Sequence, residues 1–112
     1  MGEGRRTALI TGSAKGLGRM SALHLAKQGY EIAVNYVNSE PEAYELCGMI
    51  EQLGVRAEAF RADVSKPEDI LQLVRQVEGR FGGIDVLINN AGPFIRERRV
   101  FLPTTSRKRL IT

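Results

Sequence analysis

The sequence predicts a doubly wound α/β fold with a parallel sheet, truncated after the fourth strand. Three observations predict it. Short apolar runs alternate with amphipathic stretches of helical period. The first run, Ala8-Leu9-Ile10, passes directly into Thr11-Gly12-Ser13-Ala14-Lys15-Gly16-Leu17-Gly18, a glycine-rich turn opening a helix. The fourth run passes into Asn89-Asn90-Ala91-Gly92. Two distinctive segments thus fall at the carboxyl ends of strands.

Each element has its own signal. Strand 1 is expected over about residues 6–11 and helix 1 over about 17–28, with Met20 and Leu23 in the core, stopped at Gly29. Strand 2 is Glu31 to Tyr36. Helix 2 starts at Ser39-Glu40-Pro41-Glu42, where Ser39 and Glu42 have capping-box spacing. Its buried stripe is Ala43, Leu46, Cys47, Ile50 and Leu53, ended by Gly54. Strand 3 is Val55 to Arg61. Helix 3 repeats the start signal as Ser65-Lys66-Pro67-Glu68, then buries Ile70, Leu73, Val74, Val77 and Phe81 before Gly82 and Gly83. Strand 4 is Ile84 to Ile88.

Size and composition bound the rest. A chain of 112 residues makes at most one domain. Hydrophobic content of 43% and charged content of 26% suit a globular chain. No apolar run approaches a bilayer span, the start lacks a leader-like stretch, and a single Cys47 cannot form an internal disulfide. A cytoplasmic location is the expectation. The net charge of +3 is uneven, because the six basic residues after Ile95 face only Glu97. Residues 1–95 are therefore read as a partial dinucleotide-binding domain and 96–112 as a basic tail, disordered or aberrant. That tail lacks a nucleic-acid reading motif, and its solvation is the simpler reading.

Right-handed crossovers give the strand order 3-2-1-4, with the ligand crevice at the carboxyl ends of strands 1 and 4. There the glycine-rich turn can aim backbone N–H groups at a phosphate, helped by the helix dipole. His24 lies alone on helix 1, and the sequence shows no ligand cluster of metal spacing.

Together, the Thr11–Gly18 turn, Asp63-Val64 after strand 3 and Asn89-Asn90-Ala91-Gly92 after strand 4 resemble the short-chain dehydrogenase/reductase family, with the look of its 3-oxoacyl-carrier-protein reductases. The resemblance covers about residues 5–95 and implies a Rossmann-like fold. It implies that Gly12, Gly16 and Gly18 form the diphosphate turn, with the Leu17 backbone beside the phosphates. Asp63 would accept from the adenine amino group, with the Val64 backbone alongside. Asn89, Ala91 and Gly92 would line the riboses, Asn89 also tying strand 4 to its neighbour.

Charge argues for NADP(H) over NAD(H). A carboxylate at the end of strand 2 would favour NAD, and Asn35-Tyr36-Val37 has none. Lys15 can reach a 2′-phosphate as a charged donor, with Ser13 and Asn35 as neutral donors.

The family's Tyr-x-x-x-Lys acid/base pair occurs nowhere in the chain. The expected function is therefore the cofactor-binding portion of an oxidoreductase that reduces a carbonyl or oxidises an alcohol, inactive as this chain alone. A non-catalytic dinucleotide-binding module completed by a partner is the alternative. Strand 4 is expected as an exposed apolar edge that favours self-association.

Overall fold

Thr7–Ile10 forms the central strand β1, buried on both faces, in a computed structural model that describes residues 5–90 and the backbone of Leu110 and Ile111. Burial on both sides explains why this run is continuously apolar instead of alternating. The chain continues through α1 (Gly16–Lys27), β2 (Glu31–Tyr36), α2 (Glu40–Gln52), β3 (Ala57–Arg61), α3 (Pro67–Phe81), β4 (Val86–Ile88) and β5 (Leu110–Ile111). The sheet order is β3-β2-β1-β4-β5, and every pairing is parallel. This is the doubly wound, Rossmann-like arrangement that the alternating runs predict.

Two apolar layers sandwich the sheet. On one face Ala22, Ala26, Leu46 and Ile50 pack against Ala8, Ile10, Ile32 and Val34. On the other, Leu73, Val74 and Val77 pack against Leu9, Ala33, Phe60 and Leu87. Each fully buried Leu or Ile contributes about 1.5–3 kcal/mol of burial. The buried stripe of α1 is Gly18, Ala22 and Ala26, small residues one turn apart that bring this helix close to the sheet.

Several local expectations need correction. Met20 is 66% exposed and not a core residue, because the small stripe fixes which face of α1 meets the sheet. Leu53 is also exposed, being the cap residue of α2. Neither helix start uses the expected serine cap. Ser39 caps α2 without a side-chain hydrogen bond, and Lys66, not Ser65, stands at the cap of α3. Ser65 instead bonds Asp63. Pro41 and Pro67 supply the helical φ at these starts. Finally, β4 is not a sheet edge: Val86 pairs with Leu110 and Leu87 with Ile111. The rest of the expected tail, residues 96–109 and 112, lies outside the described residues.

Candidate functional site

The carboxyl ends of β1, β2 and β4 meet at the turn 11–15, which side chains fasten on two sides. On the β4 side, Thr11 N–H donates to the Ile88 carbonyl at 3.0 Å. The Thr11 hydroxyl donates to Asn89 Oδ1 at 3.1 Å and accepts from Asn90 N–H at 2.9 Å. Asn90 Nδ2 donates to the Gly12 carbonyl at 3.1 Å. Asn89 thus ties strand 4 to its neighbour as the resemblance implies, while Thr11 and Asn90 do at least as much. The sequence places both in its distinctive segments but gives neither a role of its own.

On the β2 side, Asn35 Oδ1 accepts from Gly12 N–H at 2.9 Å, and Ser13 N–H donates to the Asn35 carbonyl at 3.0 Å. Asn35 N–H donates to Ser13 Oγ at 3.1 Å. Both residues are fully buried. The expectation that they serve as side-chain donors to a 2′-phosphate therefore gives way: the protein's own backbone occupies their polar atoms. A strand-end position in a sequence does not reveal which side of the strand a side chain takes.

Gly12 and Gly16 have φ of 59° and 63°, the left-handed region that glycine enters at little cost. Gly18 has a different duty. A Cβ there would stand 2.7 Å from both Asn90 Nδ2 and the Gly12 carbonyl oxygen, and 2.9 Å from Ser13 Cα. Only a hydrogen lets α1 approach the turn so closely. Arg19 adds a strap that sequence reading missed, donating to the Ala14 carbonyl at 3.1 Å and pairing with Glu45 at 3.0 Å.

The N-terminus of α1 is open. Lys15 stands at the cap in extended conformation, no side chain caps the helix, and its first turn has no acidic residue. Gly16, Leu17 and Gly18 precede the first intrahelical bond, Arg19 N–H to the Lys15 carbonyl at 3.3 Å, so their N–H groups have no partner within the helix. Lys15 and Gly16 are exposed and Leu17 is 73% exposed. Positive dipole, amides without a helical partner and a lysine give this mouth a chemistry suited to an anion.

Beside this mouth a hollow of about 220 Å³ is lined by Gly12, Ala14, Lys15, Asn35, Tyr36, Val37, Asn38 and Ser39. Among the described residues no carboxylate lines it. Asn38 and Ser39 join it because the chain leaves β2 and turns towards α2 there, a path that composition alone does not show. On the α3 side a smaller apolar hollow of about 50 Å³ brings Val64 together with Thr11, Leu87 and Asn89. Asp63 stands just before it at the end of β3. Its Oδ1 accepts from Ser65 Oγ at 2.7 Å and Ser65 N–H at 3.1 Å, and these bonds hold its pKa below the usual carboxylate value. Asp63 N–H in turn donates to Asp69 Oδ2 at 3.0 Å. Ala91 and Gly92, the other expected ribose contacts, lie outside the described residues.

His24 is exposed and faces Gln28 on its own helix, 2.9 Å between their nitrogens. Cys47 is buried and free, its thiol pushed up to about 11 by that burial first and by Glu51 and Glu58 second. Among the described residues there is no metal-ligand cluster and no helix long and apolar enough to cross a membrane.

Comparison with known proteins agrees with this geometry. The family model for short chain dehydrogenase matches residues 6–110. The chain is 41% identical over 87 residues to 3-oxoacyl-[acyl-carrier-protein] reductase FabG of Staphylococcus epidermidis, covering 78% of this chain and 36% of the relative. It is also 41% identical over 86 residues to the short-chain dehydrogenase/reductase homolog YusS of Bacillus subtilis, covering 77% and 79%. Among solved structures it resembles a putative dehydrogenase from Burkholderia cenocepacia with bound NADP, with a TM-score of 0.74 and 33% identity over 76% of this chain and 33% of that one. The chain spans about a third of the reductase and of the dehydrogenase it matches.

Proposed function

Since the chain belongs to the short-chain dehydrogenase family, we propose that it is the NADP(H)-binding portion of an oxidoreductase that reduces a carbonyl or oxidises an alcohol. One observation carries the reading: the open, acid-free start of α1, behind a turn already fastened to its neighbours. A diphosphate at this mouth meets unpaired N–H groups of Gly16, Leu17 and Gly18. The donor set suits an anion, and the Gly18 hydrogen keeps the helix start close to the turn. A bound nicotinamide coenzyme supplies or accepts the hydride. The residues here bind and orient it: the turn holds the diphosphate, Asp63 accepts from the adenine amino group, and Asn89 helps line the riboses.

Preference for NADP(H) over NAD(H) rests on the hollow at the end of β2. Its lining offers Lys15, Asn38 and Ser39 and no carboxylate to repel a 2′-phosphate. The bound NADP of the Burkholderia structure supports the same reading. Titrating the chain with NADPH and NADH, followed by nicotinamide fluorescence, tests it. Tighter binding of NADPH by tenfold or more, narrowed by Lys15→Gln, is the expected result. Equal affinity, or tighter NADH, overturns the preference, and no binding of either overturns the function.

The acid/base chemistry has no Tyr-x-x-x-Lys spacing to act through in these 112 residues. Turnover by the chain alone is therefore not expected, and NADPH should stay unoxidised with a panel of small ketones. A second reading, a dinucleotide-binding module completed by a partner, is favoured by YusS, of which the match covers 79%. A truncated reductase and such a module differ in whether a stable complex with a second protein restores turnover. A reducing, cytoplasmic setting fits either, given a free Cys47.

A further inference from the structure

We infer that Asn35 is a positioning residue that sets the distance between the diphosphate turn and the adenine-binding carboxylate expected at Asp63. The inference rests on the dinucleotide reading above and adds a residue whose side chain is spent on the protein's own backbone.

Asn35 is a fully buried amide in a strand whose preceding residues, Ile32, Ala33 and Val34, are apolar. Such a group is costly in a core unless its donors and acceptor are all engaged. Here they are engaged with two different segments. Oδ1 accepts from Gly12 N–H at 2.9 Å, in the turn after β1. Nδ2 donates to the Phe60 carbonyl at 3.3 Å and the Ala62 carbonyl at 3.2 Å, at the end of β3. Ala62 immediately precedes Asp63. β1 and β3 are not neighbours in the sheet, since β2 lies between them. One side chain on the middle strand therefore holds both ligand-facing ends.

The sheet does not need this amide to keep its register. Asn35 already pairs through its backbone with Phe60, and the rungs on either side, Val34 with Ala59 and Tyr36 with Arg61, are complete. A valine or isoleucine would fill a strand position of this kind at no desolvation cost. The added bonds act past the end of the regular ladder, where the β1 and β3 chains leave the sheet and carry the ligand contacts. Fixing that separation matters for a ligand spanning both contacts, because a small misplacement at either end loses the benefit of the other.

The test is a double-mutant cycle on the full chain, reading the NADP⁺ dissociation constant for wild type, Asn35→Ser, Asp63→Ala and the double variant. Asn35→Ser should weaken NADP⁺ about tenfold, the loss expected for buried hydrogen bonds. Asp63→Ala should cost several-fold in the wild-type background and less than twofold in the Asn35→Ser background. Ile50→Val, which thins the core between α2 and the sheet, should lower the unfolding temperature and leave the NADP⁺ constant unchanged. If Asn35→Ser does not reach the wild-type circular dichroism spectrum, Asn35→Thr gives the same cycle with a strand-favouring side chain. Losses that multiply independently, or an Asn35 variant with wild-type affinity, would overturn the positioning role. Failure of the wild-type chain to bind NADP⁺ would instead sink the dinucleotide reading itself.

Discussion

The three helix starts among the described residues are built in two ways. α2 and α3 each carry a proline at the first or second position and carboxylates in the first turn, Glu40 and Glu42 in one, Glu68 and Asp69 in the other. α1 has no proline and no acid, with Lys15 at its cap and Gly16, Leu17 and Gly18 following. The helix dipole attracts negative charge at all three starts. In α2 and α3 the protein supplies that charge from its own sequence. In α1 it withholds it, and the sign of the omission points to an anionic ligand. The proposed binding site corresponds to a stabilising feature left out of one element and present in its two siblings.

The largest change that would break this difference is Gly18→Ala. The new Cβ meets Asn90, Gly12 and Ser13 at under 3.0 Å, so either α1 or the turn must move. An unfolding free energy lower by about 2–3 kcal/mol is expected, the upper range for an overpacked site. NADP⁺ affinity should fall by about a hundredfold, equivalent to roughly 2.7 kcal/mol. Calorimetric titration and thermal unfolding read both.

Lys15→Glu tests the contrast directly by giving α1 the carboxylate its siblings have. Stability should rise by about 0.3–1 kcal/mol as the dipole gains its charge. NADP⁺ affinity should fall by at least tenfold, roughly 1.4 kcal/mol or more. Opposite signs in the two measurements are the diagnostic result. A fall in both would mean that Lys15 supports the fold and not the ligand.

The inner face of α2 sharpens the comparison from the other side, since it is closed where the start of α1 is open. Cys47 holds its proton up to about 11 when folded, against 9.0 for an ordinary thiol. Between those values the unfolded chain ionises first, so stability should decline as pH rises from about 9 to about 11. The decline is expected to be about 1–2 kcal/mol and to be absent in Cys47→Ala. Urea melts across that range read it.

The smallest effect is expected at α3. Glu68→Gln removes one exposed first-turn carboxylate and should cost about 0.3–1 kcal/mol. NADP⁺ affinity should stay within twofold of wild type, because Glu68 is exposed and is assigned no ligand contact.

The alternation of strand and helix and the order 3-2-1-4 were legible from periodicity and turn chemistry. β2 is found at its predicted limits, Glu31–Tyr36. What escaped reading depended on choices between partners. Ser39 and Ser65 have the spacing of helix caps, yet Ser65 finds Asp63 and Ser39 makes no capping bond. Asn35 and Ser13 have the chemistry of phosphate donors, and burial commits them to the backbone instead. Met20 sits at an apolar position that the small-residue stripe of α1 turns outward. The pairing of Leu110–Ile111 on β4 joins positions 24 apart in sequence and follows from no local pattern. In each case the residue types were informative and the three-dimensional competitor was hidden.

Because Asn35, Asn90 and Thr11 lash the glycine loop into shape through the protein's own groups, a coenzyme bound as proposed would meet a turn that is already formed. Association should then resemble rigid docking: a fast on-rate, little ordering entropy to overcome, and a heat-capacity change no larger than the surface covered.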